Sequence, residues 1–217
     1  MIKTVLFDLD GTLIDTNHLI LTSFQYTLDK YFPGQYKRQD LIPFIGESLE
    51  TSFHSVSPQL TQQMIEVYRD HNSRFHDQLV KAFPHVRKTL TALKDEGCRL
   101  GVVSTKKRDM VERGLNYTKL APFFETVVTS DDVTHLKPDP EPVERAMDAL
   151  AAQTDSTIMV GDSPGDILAG KNAQIKTAAV GWSLKGTTML ENLKPDYLLH
   201  QMDDLISIVV RAGAAVK

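Results

Sequence analysis

The sequence predicts an α/β protein: a parallel sheet covered by helices on both faces, with a helical subdomain inserted after the first strand. Three observations predict it. Short apolar runs that end in polar or glycine residues recur along the chain, as buried parallel strands do. Helical patterns fall between them, and that alternation implies parallel crossovers. The first apolar run is separated from the next by more than 80 residues, too long for one crossover.

The elements follow in order. Residues 2–7 read as the first strand. Helical patterns at 18–31, 49–54 and 59–81 then fill the long gap, broken near Phe32-Pro33-Gly34 and Phe44-Ile45-Gly46. They form the inserted subdomain, with hinge segments expected near 15–17 and 80–84. The predicted division is a core of 1–15 and 82–217 around an inserted unit of 16–81. A helix over 86–95 carries Val86, Leu90 and Leu93 on one face and is closed by Gly97. Strands at 100–103, 126–129, 158–160 and 177–180 alternate with helices at 110–116, 140–152 and 166–173. A weaker strand lies at 197–199. There is no internal repeat and no low-complexity segment.

Bulk properties narrow the class. A chain of 217 residues buries a substantial core, and 41% hydrophobic with 24% charged residues is ordinary for a globular protein. A net charge of −4 gives no electrostatic case for nucleic acid or an anionic membrane as partner. No apolar run approaches the roughly 18 residues of a membrane span, and no signal-peptide pattern precedes the first strand. Cys98 is the single cysteine, which excludes an internal disulfide and fits a reducing cytosol. Its position between a helix and a strand suits a packing residue. The expected location is cytoplasmic.

Chemistry gathers at the strand ends. The run Phe7-Asp8-Leu9-Asp10-Gly11-Thr12-Leu13 carries two carboxylates at i, i+2, which lie on one side of an extended backbone. Such a pair resists joint ionisation. A divalent cation relieves it, as does a division of labour between nucleophile and proton carrier. Ser104 and Thr105 follow the second strand, Lys137 lies beyond the third, and Gly161-Asp162-Ser163-Pro164-Gly165-Asp166 follows the fourth. One sheet edge therefore collects carboxylates, a hydroxyl and a lysine, which suits a phosphoryl group. Asp8 is placed to attack phosphorus and form an aspartyl phosphate. Asp10 protonates the leaving oxygen and then deprotonates the hydrolytic water. Magnesium and Lys137 offset charge on the phosphoryl oxygens, and Ser104 with Thr105 and nearby backbone N–H groups forms the phosphate cradle. Asp162 anchors the metal, while Asp166 either supports the metal waters or orients Lys137.

These residues resemble the four motifs of the haloacid dehalogenase superfamily. Phe7–Leu13 is similar to the first motif, Val103-Ser104-Thr105-Lys106 to the second, Leu136-Lys137-Pro138 to the third, and the Gly161-Asp162 run to the fourth. The resemblance implies a magnesium-dependent phosphatase with a Rossmann-like core and a helical cap, Asp8 as nucleophile and Asp10 as acid/base. It also implies metal contacts from Asp8, Asp162 and the main-chain carbonyl of Asp10. Within the superfamily, Thr12-Leu13-Ile14-Asp15-Thr16-Asn17, Pro33-Gly34-Gln35-Tyr36, Pro43-Phe44-Ile45-Gly46, His135 to Pro142 and Lys194-Pro195-Asp196-Tyr197 resemble PpaX-type inorganic pyrophosphatases, a group similar to phosphoglycolate phosphatases. That resemblance implies pyrophosphate as the small phosphorylated substrate. Ser104 stands where threonine is common, and Glu47 is acidic where less acidic residues are expected.

Phosphoglycolate or another small phosphomonoester is the alternative substrate, and a phosphosugar mutase a more distant one. A dehalogenase does not need Asp162 and a metal. A phospho-accepting receiver would carry its carboxylate on a later strand and no cap. The cap is expected to set specificity, through Lys37, Arg38, Arg69, Arg74, His18, His71 or His76. The Met64, Val67, Tyr68, His71 and Phe75 stripe is expected to be cap core, and Lys106-Lys107-Arg108 a solvated helix start.

Overall fold

A computed structural model describes residues 1–214. The chain opens with β1 (Thr4–Phe7), all four residues buried. A two-residue strand, β2 (Ile14–Asp15), leads to α1 (Asn17–Tyr31). A 3-10 turn over Arg38–Phe44, α2 (Leu49–Val56) and α3 (Thr61–Leu79) complete the helical unit. The chain returns through β3 (Lys81–Ala82) to α4 (Val86–Asp95), β4 (Arg99–Val103) and α5 (Arg108–Tyr117). There follow β5 (Thr126–Val128), α6 (Glu141–Ala149), β6 (Thr157–Gly161) and α7 (Pro164–Asn172). The order ends with β7 (Lys176–Val180), α8 (Thr187–Asn192), β8 (Tyr197–Leu199) and α9 (Asp204–Ala214). Among the described residues no helix is long and apolar enough to cross a membrane.

Six strands form one parallel sheet in the order β5-β4-β1-β6-β7-β8. Side chains alternate across a strand, so strands covered on both faces read as near-continuous apolar runs. Val5 and Phe7 of β1 join Leu100 and Val102 of β4 and Ile158 and Val160 of β6 in one buried cluster, with Val86, Leu90 and Leu93 of α4. Leu6, Val103 and Met159 point the other way, against Val143, Ala146 and Met147 of α6 and Ala169 of α7. Cys98 is buried in the first cluster, and burial pushes its thiol up, which fits a packing role.

The helical unit has its own core. Phe24 of α1 packs on Phe44, Phe53 and Tyr68 with ring centroids 5.2, 5.2 and 4.7 Å away. Glycine ends its segments at the expected breaks: Gly34 and Gly46 take φ of +70° and +82°, which disfavour any residue with a Cβ. The sequence predicts one helix over 59–81, but α3 stops at Leu79 and Lys81 pairs in β3. Ile14 faces Ala82 and Asp15 faces Lys81 in an antiparallel ribbon, where bare hinge segments are expected. The two chain crossings run side by side, and pairing satisfies backbone groups that would otherwise need other partners.

Candidate active site

β1 lies between β4 and β6, where strand order reverses, so a crevice opens above its carboxyl end. The turn after β1, the loop after β4, the 129–140 segment and the β6–α7 loop meet there. A cavity of about 340 Å³ lies between this edge and the helical unit, within the usual range for a small-ligand site. Asp8, Asp10, Ser104, Thr105, Lys137 and Asp162 all line it.

Lys137 is the hub. Its ammonium has three donors. They meet Asp8 Oδ1 at 2.7 Å, the Val103 carbonyl at 2.8 Å and Asp166 Oδ1 at 2.5 Å. Burial opposes the charge on Lys137, but Asp166 and Asp8 outweigh it and hold the ammonium above its ordinary value. The second Asp166 oxygen accepts from the Ser163 amide (3.0 Å) and hydroxyl (2.7 Å). Asp166 thus completes the capping box of α7 and binds Lys137 at once; the Lys137 contact is one of the two roles expected of it.

Asp8, Asp162 and Asp166 each offer a carboxylate oxygen within 4.8 Å of the others. Burial pushes the Asp8 carboxyl up to about 7, against the pull of Lys137. Burial also pushes Asp162 well above the usual carboxylate range, and the Asp8 and Asp166 charges add to the rise. Lys137 binds two of these three buried carboxylates, and among the described residues the Asp162 carboxylate accepts no hydrogen bond. Hard oxygen donors with excess negative charge fit a divalent cation such as magnesium. Gly11 completes the cradle: its φ is +86°, and a Cβ there would overlap the Asp162 carboxylate. Gly161 is held likewise, because a Cβ would overlap the Asp166 side chain.

Removing the hub cation strands these acids. Lys137→Met is expected to cost about 3–5 kcal/mol of stability near pH 8, as for one broken partner of a buried pair. Urea unfolding at pH 8 and pH 5 checks it. The loss should shrink at pH 5, where Asp8 and Asp162, both raised by burial, hold their protons; an unchanged midpoint at both would contradict the hub.

The Asp10 carboxylate is not among the three clustered acids. Its Oδ1 accepts from Lys106 Nζ at 2.7 Å instead. Lys106 is therefore no solvated helix start; its ammonium is bound in the site, two residues beyond Ser104. That i, i+2 spacing at a strand end was the one signal for it. The buried Ser104 hydroxyl accepts from the Lys106 amide at 3.2 Å.

Of the cap cations expected to read substrate, only Arg69 lines the cavity among the described residues. Arg38 meets His18 at 3.1 Å on the surface, and Arg74 lies 3.9 Å from exposed Asp70. His71 stacks on Tyr26, and His76 is buried against Asp77. Tyr68 of the expected core stripe is both core and cavity wall, as is Ile65, which the stripe omits. Glu47 lines the cavity too.

A family model described as haloacid dehalogenase-like hydrolase matches residues 5–180. The chain is 50% identical over 210 residues to pyrophosphatase PpaX of Bacillus mycoides, covering 97% of this chain and 98% of that one. It is equally identical over 208 residues to pyrophosphatase PpaX of Bacillus anthracis, with 96% of each covered. Among solved structures, a haloacid dehalogenase-like hydrolase from Bacteroides fragilis superposes with a TM-score of 0.88 at 26% identity, over 94% of this chain and all of that one. A predicted phosphatase from Clostridium acetobutylicum gives 0.87 at 27% identity, over 97% of this chain and 99% of the other.

Proposed function

The chain belongs to the haloacid dehalogenase-like hydrolases, and from that premise we propose a cytoplasmic, magnesium-dependent phosphohydrolase that works through an aspartyl phosphate on Asp8, with inorganic pyrophosphate as its leading substrate. The observation that carries the chemistry is the buried Asp8 carboxylate held at 2.7 Å by Lys137 beside Asp162. The likeness to pyrophosphatases supports the substrate.

The residues divide the work. Lys137 holds Asp8 oriented toward the cavity and places a fixed positive charge beside an incoming phosphoryl group. An Asp8 oxygen attacks phosphorus while the bond to the leaving oxygen breaks; the leaving oxygen keeps the electron pair and takes a proton from Asp10. Asp10 then removes a proton from the water that cleaves the acyl phosphate, restoring Asp8 and releasing phosphate. Ser104 and Thr105 bind phosphoryl oxygens. Asp8, Asp162 and the Asp10 carbonyl would hold the metal, with Asp166 in support. A bound magnesium ion would supply charge neutralisation for the phosphoryl oxygens. The helical unit covers the site and limits water, which favours transfer over side reactions.

Phosphate release from pyrophosphate and from phosphoglycolate, with and without magnesium, tests this reading. Magnesium-dependent release from pyrophosphate is expected. Release from phosphoglycolate alone would sink the substrate, and full activity in excess chelator would sink the metal.

The metal also makes a stability prediction. A carboxyl whose folded value is raised holds its proton in the folded state over pH values where the unfolded chain has lost it. For Asp8 that window runs from 3.8 to about 7. The metal-free protein therefore loses this contribution as pH rises through the window. A cation that binds the ionised form offsets the loss. Magnesium should raise the melting temperature by several degrees at pH 8 and far less at pH 5. Equal shifts at both values would argue against these ligands.

A further inference from the structure

We propose that Lys106 binds the leaving group, and that the site selects phosphoryl compounds whose leaving group carries an anion of its own. The inference rests on the phosphohydrolase reading and deepens it by naming the substrate class. Pyrophosphate belongs to that class through its second phosphoryl group, and phosphoglycolate through its carboxylate.

Lys137 has no capacity left for a leaving group. Its three donors are matched by Asp8, the Val103 carbonyl and Asp166, and its side chain is 3% exposed. Lys106 is different. Among the described residues its ammonium has one acceptor, Asp10 Oδ1 at 2.7 Å, so two of its three donors stay free for a ligand. Its side chain is 21% exposed and lines the same cavity.

Its position is also built in. The Lys106 amide donates to Ser104 Oγ at 3.2 Å, and its carbonyl accepts from the Ser130 amide at 3.0 Å. Both sides of its backbone are therefore tied to the phosphate end of the site. Asp10 is the residue that must reach the leaving oxygen. An oxygen in hydrogen-bond contact with the Asp10 carboxylate lies next to the ammonium bound to that same carboxylate. A neutral leaving group gives Lys106 nothing further to bind, whereas an anionic one gives a second charge-assisted acceptor. Arg69 and Lys107 line the cavity as well, but neither has a hydrogen bond to Asp10. Glu47 and Glu50 line its cap side and disfavour a longer polyanion, which keeps the class small.

The test compares wild type, Lys106→Gln, Lys106→Met and Lys106→Arg on pyrophosphate, phosphoglycolate and phenyl phosphate, whose leaving group is uncharged. Losing one charge-assisted contact is expected to lower kcat/KM by roughly 10–100-fold on the preferred anionic substrate. That loss should exceed the loss on phenyl phosphate by at least about tenfold in both uncharged variants, with Lys106→Arg recovering most of the difference. Equal losses on all substrates would overturn the assignment, leaving Lys106 only as a partner for Asp10. No change on any, or a wild type that prefers phenyl phosphate, would also overturn it. Cleavage of phosphoglycolate but not pyrophosphate, with the Lys106 difference intact, would sink the pyrophosphate reading while supporting the role of Lys106.

Discussion

Asp8→Asn should abolish turnover without unfolding the protein. Asparagine keeps the shape of the side chain and an oxygen that accepts from Lys137. It cannot carry a covalent phosphoryl group, because its amide is a poor nucleophile and the adduct would not be an acyl phosphate. The substitution also removes one charge from a buried group of three acids with a single lysine, whose Asp8 member burial pushes up to about 7. The metal-free variant is therefore expected to be at least as stable as wild type at pH 8. Activity near background with an equal or higher melting temperature is the expected pair of results. Steady-state activity within tenfold of wild type would contradict the role of Asp8, and a large fall in melting temperature would contradict the charge account.

Asp10→Asn should slow the reaction by roughly 10²–10⁴, the usual contribution of a positioned acid–base group. The amide neither gives nor takes the proton, yet its oxygen can still accept from Lys106, so the loop after β4 should keep its place. The Asp10–Lys106 pair is partly exposed, with side chains 15% and 21% accessible, and its loss should cost within about 1 kcal/mol of stability. The two steps should suffer unequally. Phosphate leaves more readily than an alkoxide, so the first step depends less on a general acid when pyrophosphate is the substrate. Attack of water on the acyl phosphate still needs a base. The variant is expected to accumulate the covalent intermediate, and its pH–rate profile should lose the limb that Asp10 provides. An unchanged profile would count against the role.

The sheet was legible because its strands are buried on both faces. Every position of β1 is buried and three of its four residues are apolar, and helices of α/β spacing fall between the runs. The edge that carries the candidate site was legible for a related reason. A parallel sheet brings all its carboxyl ends to one side, so Asp8, Ser104, Lys137 and Asp162 could be assigned to one place from order alone. The β2–β3 ribbon was not legible, because two residues per strand are too few for alternation to show. The role of Lys106 was hidden by its neighbours. In a Lys-Lys-Arg run at a helix start it reads as a solvated charge, and only the fold brings its ammonium to Asp10, 96 positions earlier. Arg69 could not be separated from the other cap cations for the same reason: a face of a helix is visible in the sequence, but the direction in which the cap lays that face is set by packing.

The most direct measurement is to mix the Asp10→Asn protein with pyrophosphate and magnesium, quench it in acid over a time course, and map any phosphorylated peptide by mass spectrometry. A single phosphoryl group on Asp8, absent when magnesium is withheld and labile to hydroxylamine, is the predicted result. A protein that still releases phosphate while Asp8 stays unmodified at every quench time, or that carries the group on another residue, would contradict the mechanism.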